Sequence, residues 1–453
     1  MNKENQAQIY LLAIFLVILA VLAVIIKPSY ILFVLILVLA IGLFYRYTTL
    51  GLYLITFLYP LTYLEIIYKD LNVPYVDVLA MVVFVAWAIK ALVRHFKGEQ
   101  KLSWANFPGL FYFVLFIIAS SLSLINAADN LLTIKYILRP LSFFYLMFVI
   151  LPYNLIEDKK ILKNIFKIFY FLGISVAIMG LWSLIAGVGA EGFFRRAVPL
   201  ALFGIRPLGW NHNLIAEVLI AAIPFSVILI WQAREGNRKR WLFLGVLLMV
   251  LINLATFSRT GWIALIVELL ILFLIQYWRQ WQKIVVYTVL IAICLSPALI
   301  YMYLFSTSYI AQSSNWHRLY LTTIAIQSWH KHPLLGNGAG SFTELVASDP
   351  IFMLEFGDTQ ESHGVIQKLL AESGVLGLFT FTLLLVFVLW RIVWAYRFAL
   401  TRQDPWSSVV LICLVVAIGA MVFQLFQTSY FVSKMWFPLG VALAATKFVK
   451  NST

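Results

Sequence analysis

The chain has 453 residues, 63% of them hydrophobic and 11% charged, and 33 Lys and Arg against 19 Asp and Glu leave a formal net charge of +14. A soluble domain carries about 25% charged residues, so this chain cannot clothe a large water-facing globule, and its hydrophobicity excludes disorder. Apolar runs of about 18–25 residues have the length of a bilayer-spanning helix, and they lack the period-two alternation of an outer-membrane barrel.

In chain order, spans are predicted at 8–26, 30–45, 49–67, 75–94, 108–125, 134–152, 166–187, 213–232, 241–257, 261–277, 284–305, 373–394, 407–428 and 432–448. The first is read as a retained anchor, because its apolar stretch is too long for a signal peptide and no A-x-A site follows. With the N-terminus inside, 21 of the 33 Lys and Arg fall on inner loops or span ends, among them Lys90, Arg94, Lys159, Arg238, Arg391 and Lys447. The positive-inside rule therefore accounts for most of the net charge without any nucleic acid. Cys294 and Cys413 lie in apolar segments, read as packing residues with no disulfide framework.

Two outer segments stand out: Val188–His212, with Arg195, Arg196 and Arg206, and a longer loop over about 306–362. Loops of that length are usually functional. Asn315–His330 reads as an amphipathic helix lying on the outer face, with an apolar stripe of Trp316, Leu319, Tyr320, Ile324 and Ile326. Pro333, Gly336, Gly338 and Gly340 then break the helix and permit a tight turn. A further helix is expected to restart near His363 and run into the next span. His317, His330 and His332 do not have the spacing of a metal-ligand set, so no metal and no cofactor are expected.

An ionisable residue at the edge of a span is costly unless paired or wetted, which makes it a functional candidate. Arg259 sits in a link of three or four residues between two spans, beside Ser258 and Thr260. Arg206 precedes the span starting at Asn213, and Arg318 lies on the outer loop. Each has a plain alternative: a snorkelling arginine, a loop arginine paired with an acid, or the polar face of a surface helix. Three guanidinium groups on one surface suit a diphosphate, which they grip bidentately. No Gly-rich P-loop is present, so a nucleoside triphosphate is not indicated. His363, near Gln367 and Lys368, can serve as a neutral base near pH 7 or simply cap a helix. Glu372, nine residues on, lies half a turn away round the helix and is read as structural. Glu217 and Glu268 lie inside spans.

Four segments in order resemble the O-antigen ligase and polymerase superfamily of membrane glycosyltransferases. They are RPLGWNHNLIAEVLIAAIP (Arg206–Pro224), SRTGW (Ser258–Trp262), the block from Arg318 through HPLLGNGAGSF to Phe342, and HGVIQKLLAESGVLG (His363–Gly377). His212 stands where the family commonly has proline, and Gly364 where it has Asn or Ser. The resemblance implies an all-α, GT-C-like bundle of about 12–14 spans, with one or two apolar segments among 30–67 or 407–448 broken or re-entrant. It divides the chain into N-terminal helices (1–205), a catalytic region (206–377) that includes the loop 306–362, and C-terminal helices (378–453).

The resemblance further implies an inverting, metal-independent glycosyl transfer from undecaprenyl diphosphate to an acceptor hydroxyl at the outer, periplasmic face of the cytoplasmic membrane. Both termini would be cytoplasmic. Arg206 and Arg259 would hold the diphosphate, with Arg318, Asn213 and Ser258 contributing to donor binding. His363 would be the general base. Gly336, Gly338, Gly340, Glu372 and Gly374 would be structural. A ligase acting on a lipid acceptor such as lipid A-core is favoured. The alternatives are a polymerase joining lipid-linked repeats and a lipid-glycan flippase. Expected partners are the lipid-linked donor, a lipid or glycan acceptor and membrane lipids, with no nucleic acid.

Overall fold

The computed structural model describes residues 28–449, apart from 69–70, 100–102, 192–193, 202, 429 and most of 278–308. The expected spans at 8–26 and, almost entirely, 284–305 lie outside the described residues. The rest is an all-α membrane bundle. Among the described residues six helices are long and apolar enough to cross a bilayer, or seven if one bent pair counts as a span.

The bent pair is α1 (Pro28–Arg46) and α2 (Thr48–Leu58), whose bend lies within 30–67, one of the two stretches where a broken or re-entrant segment was expected. Val34–Arg46 and Thr48–Leu58 meet at 109°, a broken or re-entrant span. Tyr47 leaves helical geometry at the bend (φ −121°, ψ 54°). Tyr59 keeps helical angles and its N–H still donates to the Ile55 carbonyl (2.8 Å), and the second arm stops at Pro60, which has no N–H to continue the ladder. The last residues of the expected span, 65–67, belong instead to a hairpin of β1 (Glu65–Tyr68) and β2 (Leu71–Pro74), paired antiparallel with Glu65 opposite Pro74.

Next come α3 (Tyr75–Phe96), α4 (Leu110–Asn126) and α5 (Asn130–Leu155). Asp129 caps α5 by accepting from the backbone N–H of Leu131 and Leu132. Wider π-turns at Ile137–Leu141 and Leu146–Ile150 interrupt α5, the first around Pro140. Proline cannot donate to the ladder and collides with the preceding turn, and the extra residue per turn relieves this. Helix α6 (Lys159–Ile185) is followed by a short hairpin, β3 (Ala190–Glu191) with β4 (Phe194–Arg195). Then come α7 (Asn213–Gln232), α8 (Asn237–Ala255) and α9 (Arg259–Tyr277). The outer loop holds α10 (Tyr309–Lys331), α11 (Phe342–Ala347) and α12 (Pro350–Phe356), the last two unforeseen. The chain closes with α13 (Val365–Thr401), α14 (Ser407–Gln424) and α15 (Ser433–Thr446).

Helix α7 is the hub. Its apolar window is 78% buried against 28–72% for the other five spanning helices, so it touches protein on nearly every side. It packs on α6, α8 and α14. Phe225 stacks on Phe166, and the aromatic cluster extends through Phe169 to Tyr59 and Phe437. Buried Glu217 on α7 faces Lys434 on α15 at 3.7 Å and accepts from Gln424 of α14 at 3.3 Å. This polar clamp joins three helices inside the bundle. Removing one partner of a buried pair costs about 3–5 kcal/mol, because the other charge is left stranded. Lys434→Met is therefore expected to lower the thermal unfolding temperature in detergent, and Glu217→Gln with Lys434→Met to recover most of the loss. A double variant no better than the single one would sink this account.

Candidate active site

The link between α8 and α9 is a tight hairpin. Phe257 takes a left-handed conformation (φ 52°), which reverses the chain. Buried Ser258 then caps α9, its Oγ accepting from the Gly261 N–H at 3.1 Å. Gly261 allows the first turn of α9 to cross the first turn of α7, since a Cβ there would lie 2.5 Å from that of Ala216. The S-R-T-G spacing therefore sets Arg259 beside His212 and Asn213. Arg259 is exposed, and its Nη2 donates to Asn315 Oδ1 of α10 at 2.7 Å.

The segment after β4 reaches the same place. Ala197 N–H donates to Ala255 O at the end of α8 (2.8 Å), and Val198 N–H donates to Ser183 Oγ (3.0 Å). Gly189 makes room for the chain, because a Cβ there would meet the Arg196 carbonyl at 2.1 Å. Arg196 is thereby pinned next to the Arg259 hairpin. His212, the residue before α7, has its pKa pushed down to about 3, first by burial and then by Arg196, Arg318 and Arg259. An imidazole at the meeting point of three guanidinium groups cannot take up a proton near neutrality.

Helix α10 supplies Arg318, His317 and Asn315. Its inner face is Leu321, Ile324, Ala325 and Ser328, at the i, i+3, i+4, i+7 spacing of one helix side, buried on the loop core and α13. Trp316, Leu319 and Ile326 of the expected apolar stripe are instead exposed, and only Ile324 and partly Tyr320 pack inward. Two apolar stripes compete on this helix, and contact with α11, α12 and α13 decides between them. Arg318 is half-buried, and its Nε has no hydrogen-bond partner among the described residues. Burial and the neighbouring Arg259 both weaken its hold on its proton. Among the described residues neither Arg259 nor Arg318 has a carboxylate partner. Two close cations without an acid between them are a receptor for an anion.

His363 lies beside this cluster. Its ring is 5.9 Å from that of His317, which packs on Phe356 (4.6 Å) and Phe352 (5.3 Å). The pKa of His363 is pushed down to about 4 by burial, then by Arg318 and His317, so the ring is neutral at pH 7. His317 is lowered by burial and by Arg318. The backbone around His363 is fixed from both sides: Ser362 Oγ donates to the Gly364 carbonyl (3.1 Å) and Thr428 Oγ1 donates to the Ser362 carbonyl (2.7 Å).

The glycine-rich turn docks on α13, the helix that begins just after His363. Helix α13 breaks at Gly374 (φ 63°), and the turn threads through the break. Gly338 N–H donates to Glu372 O (3.0 Å), Val375 N–H to Pro333 O (2.9 Å) and Leu376 N–H to Leu334 O (3.2 Å). A Cβ on Gly336 would meet the Glu372 backbone at 2.4 Å, and one on Gly340 the Tyr136 ring at 2.5 Å. Glu372 accepts from the Phe342 N–H at the start of α11 (3.1 Å) and pairs with Lys368 (3.1 Å), which also pairs with Glu361. Glu372 thus ties turn, loop helix and span together. Gly374→Ala would force a side chain into left-handed backbone and against the Leu334 carbonyl at 2.4 Å. The turn is expected to undock and become cleavable by protease within 332–341. Unchanged protection would remove this role.

Arg206 is held elsewhere. Its guanidinium lies 3.6 Å over the exposed Trp210 ring, a cation–π contact, and it is not among the charges acting on His212. Asn213 is buried, with its N–H bonded to Asn211 Oδ1 at 2.9 Å. Arg196 and His212 join the cluster without having been singled out as site residues. The signal for His212 was its place directly before Asn213, and for Arg196 only its membership of the shorter outer segment. Among the described residues no group of three His, Cys, Asp or Glu is placed to hold a metal.

Residues 244–382, about a third of the chain, match the family described as O-Antigen ligase, which supports membership of the O-antigen ligase and polymerase superfamily. That interval holds Ser258, Arg259, Arg318, the glycine-rich turn, His363 and Glu372. It leaves Arg196, Arg206 and His212 outside. No curated protein matches the chain.

Proposed function

We propose that this O-antigen ligase-type membrane protein transfers a glycan from undecaprenyl diphosphate to a hydroxyl of a lipid acceptor, with inversion, at the outer face of the cytoplasmic membrane. The observation that carries the reading is the convergence of Arg259, Arg318 and Arg196 on one spot beside a neutral histidine. The guanidinium groups hold the donor diphosphate and stabilise the charge that grows on it as the anomeric C–O bond breaks. His363 takes the proton of the acceptor hydroxyl as its oxygen bonds to the anomeric carbon from the opposite face. Arg206, steadied on Trp210, contacts the donor at the rim. Asn213 and Ser258 hold the helix starts that carry the clamp. The region 206–377 with the loop 306–362 is the catalytic part, and Arg196 extends it by one segment towards the N-terminus.

The test is transfer by purified protein from a polyprenyl-diphosphate glycan, offering a lipid core and a second donor separately. Glycosylated lipid core is the expected product, and it should form equally with a chelator present. Chain extension of the second donor alone would make the protein a polymerase. Loss of activity with the chelator would overturn the metal-independent mechanism.

A further inference from the structure

We propose that a cavity at the opposite end of the bundle binds the phosphate headgroup of an anionic phospholipid. The cavity measures about 530 Å³, within the usual range for small-ligand sites. It is lined by Lys90, Arg94 and Lys447, with Glu157 the one acid. Lys90 and Arg94 stand one turn apart on α3 and so share a face. Lys447 is held in place at the end of α15, its Nζ donating to the Tyr153 carbonyl and lying 4.7 Å over the Tyr153 ring. The floor is rigid: Asn106 Nδ2 donates to Asn154 Oδ1 (2.9 Å), and Asn154 Nδ2 donates back to the Asn106 carbonyl (2.9 Å).

Position separates this cavity from the arginine cluster. Glu157 lies just before the N-cap Asp158 of α6 and Arg196 beyond its far end, and the 27 residues of that helix span about 40 Å. The surroundings point to a lipid. On α3, Ile89, Leu92 and Phe96 are exposed between and beyond the two cations, the last at 84%. Apolar side chains at that level meet acyl chains, while Trp87 in the lining suits the interface. Basic pockets between membrane helices, with a net excess of cations, select anionic headgroups.

The experiment places the full chain in phosphatidylcholine vesicles doped with phosphatidylglycerol and measures the lipid retained on extraction by native mass spectrometry. Phosphatidylglycerol is expected to be enriched over phosphatidylcholine. Lys90→Gln and Arg94→Gln should each cut that enrichment about five-fold, and together roughly thirty-fold. Arg94→Lys should keep most of it, which separates loss of charge from loss of fold. Transfer activity of the double Gln variant in detergent should stay within about two-fold of the parent, since neither residue belongs to the arginine cluster. An undiminished enrichment in the double variant would overturn the site. So would displacement of the lipid by soluble glycerol phosphate at equal concentration, because a free phosphate would then be the occupant.

Discussion

Arg259→Ala is expected to lower glycan transfer by about 10²–10³-fold while the protein stays folded and inserted. Loss of one preorganised donor to a developing anion has that magnitude in a water-poor site. The side chain is exposed and, among the described residues, donates to the exposed Asn315 Oδ1, so its removal leaves no buried group stranded there. Its removal also relieves the repulsion on Arg318, and unfolding should not occur at lower temperature. The effect therefore belongs to the ligand-bound state. Transfer rates measured alongside thermal unfolding check this. An Arg259→Ala protein that turns over at the parental rate would remove the diphosphate clamp.

His363→Ala is expected to reduce turnover by about 10²–10⁴-fold, the usual contribution of a positioned base, while the donor still binds. Lost donor binding would instead make His363 a ligand contact. The pH profile gives a second readout with a defined sign. A base works only when unprotonated, so activity falls as pH drops through its pKa. In the free enzyme that pKa is about 4, below the ordinary 6.5, because burial and Arg318 oppose the protonated form. The acid limb of kcat/KM should therefore lie near 4. Binding a diphosphate offsets the arginine field, so the limb of kcat should move upward. A kcat/KM limb at 6.5 would mean that the arginines do not act on the ring, or that another group is the base.

Several parts of this molecule were readable before any coordinates. The span at 213–232 is helix α7 from Asn213 to Gln232. Twenty residues, 15 of them apolar and with a polar residue at each end, have one stable state in a bilayer, so composition alone decides it. The short link at Ser258–Thr260 was legible too, because it is all that separates two apolar runs, but the cap by Ser258 and the helix start at Arg259, two residues earlier than expected, were not. What could not be read was any outcome set by competition between distant surfaces. On α10 both apolar stripes have helical spacing, and only the packing of α11, α12 and α13 buried Leu321 and Ala325 rather than Leu319 and Ile326.

The sequence by itself determined that this is a helical membrane protein, where most of its cations lie, and that Arg259, Arg318 and His363 are the residues to examine. These are properties of composition, local spacing and a family resemblance. The tertiary structure decided which arginines share a charge field. Arg206 is the nearer to Asn213 in sequence, but it stacks on Trp210, while Arg196 is carried to the cluster by a backbone bond from Ala197 to Ala255. Electrostatic work falls off with distance through space, and the chain's route between two points in sequence says nothing about that distance.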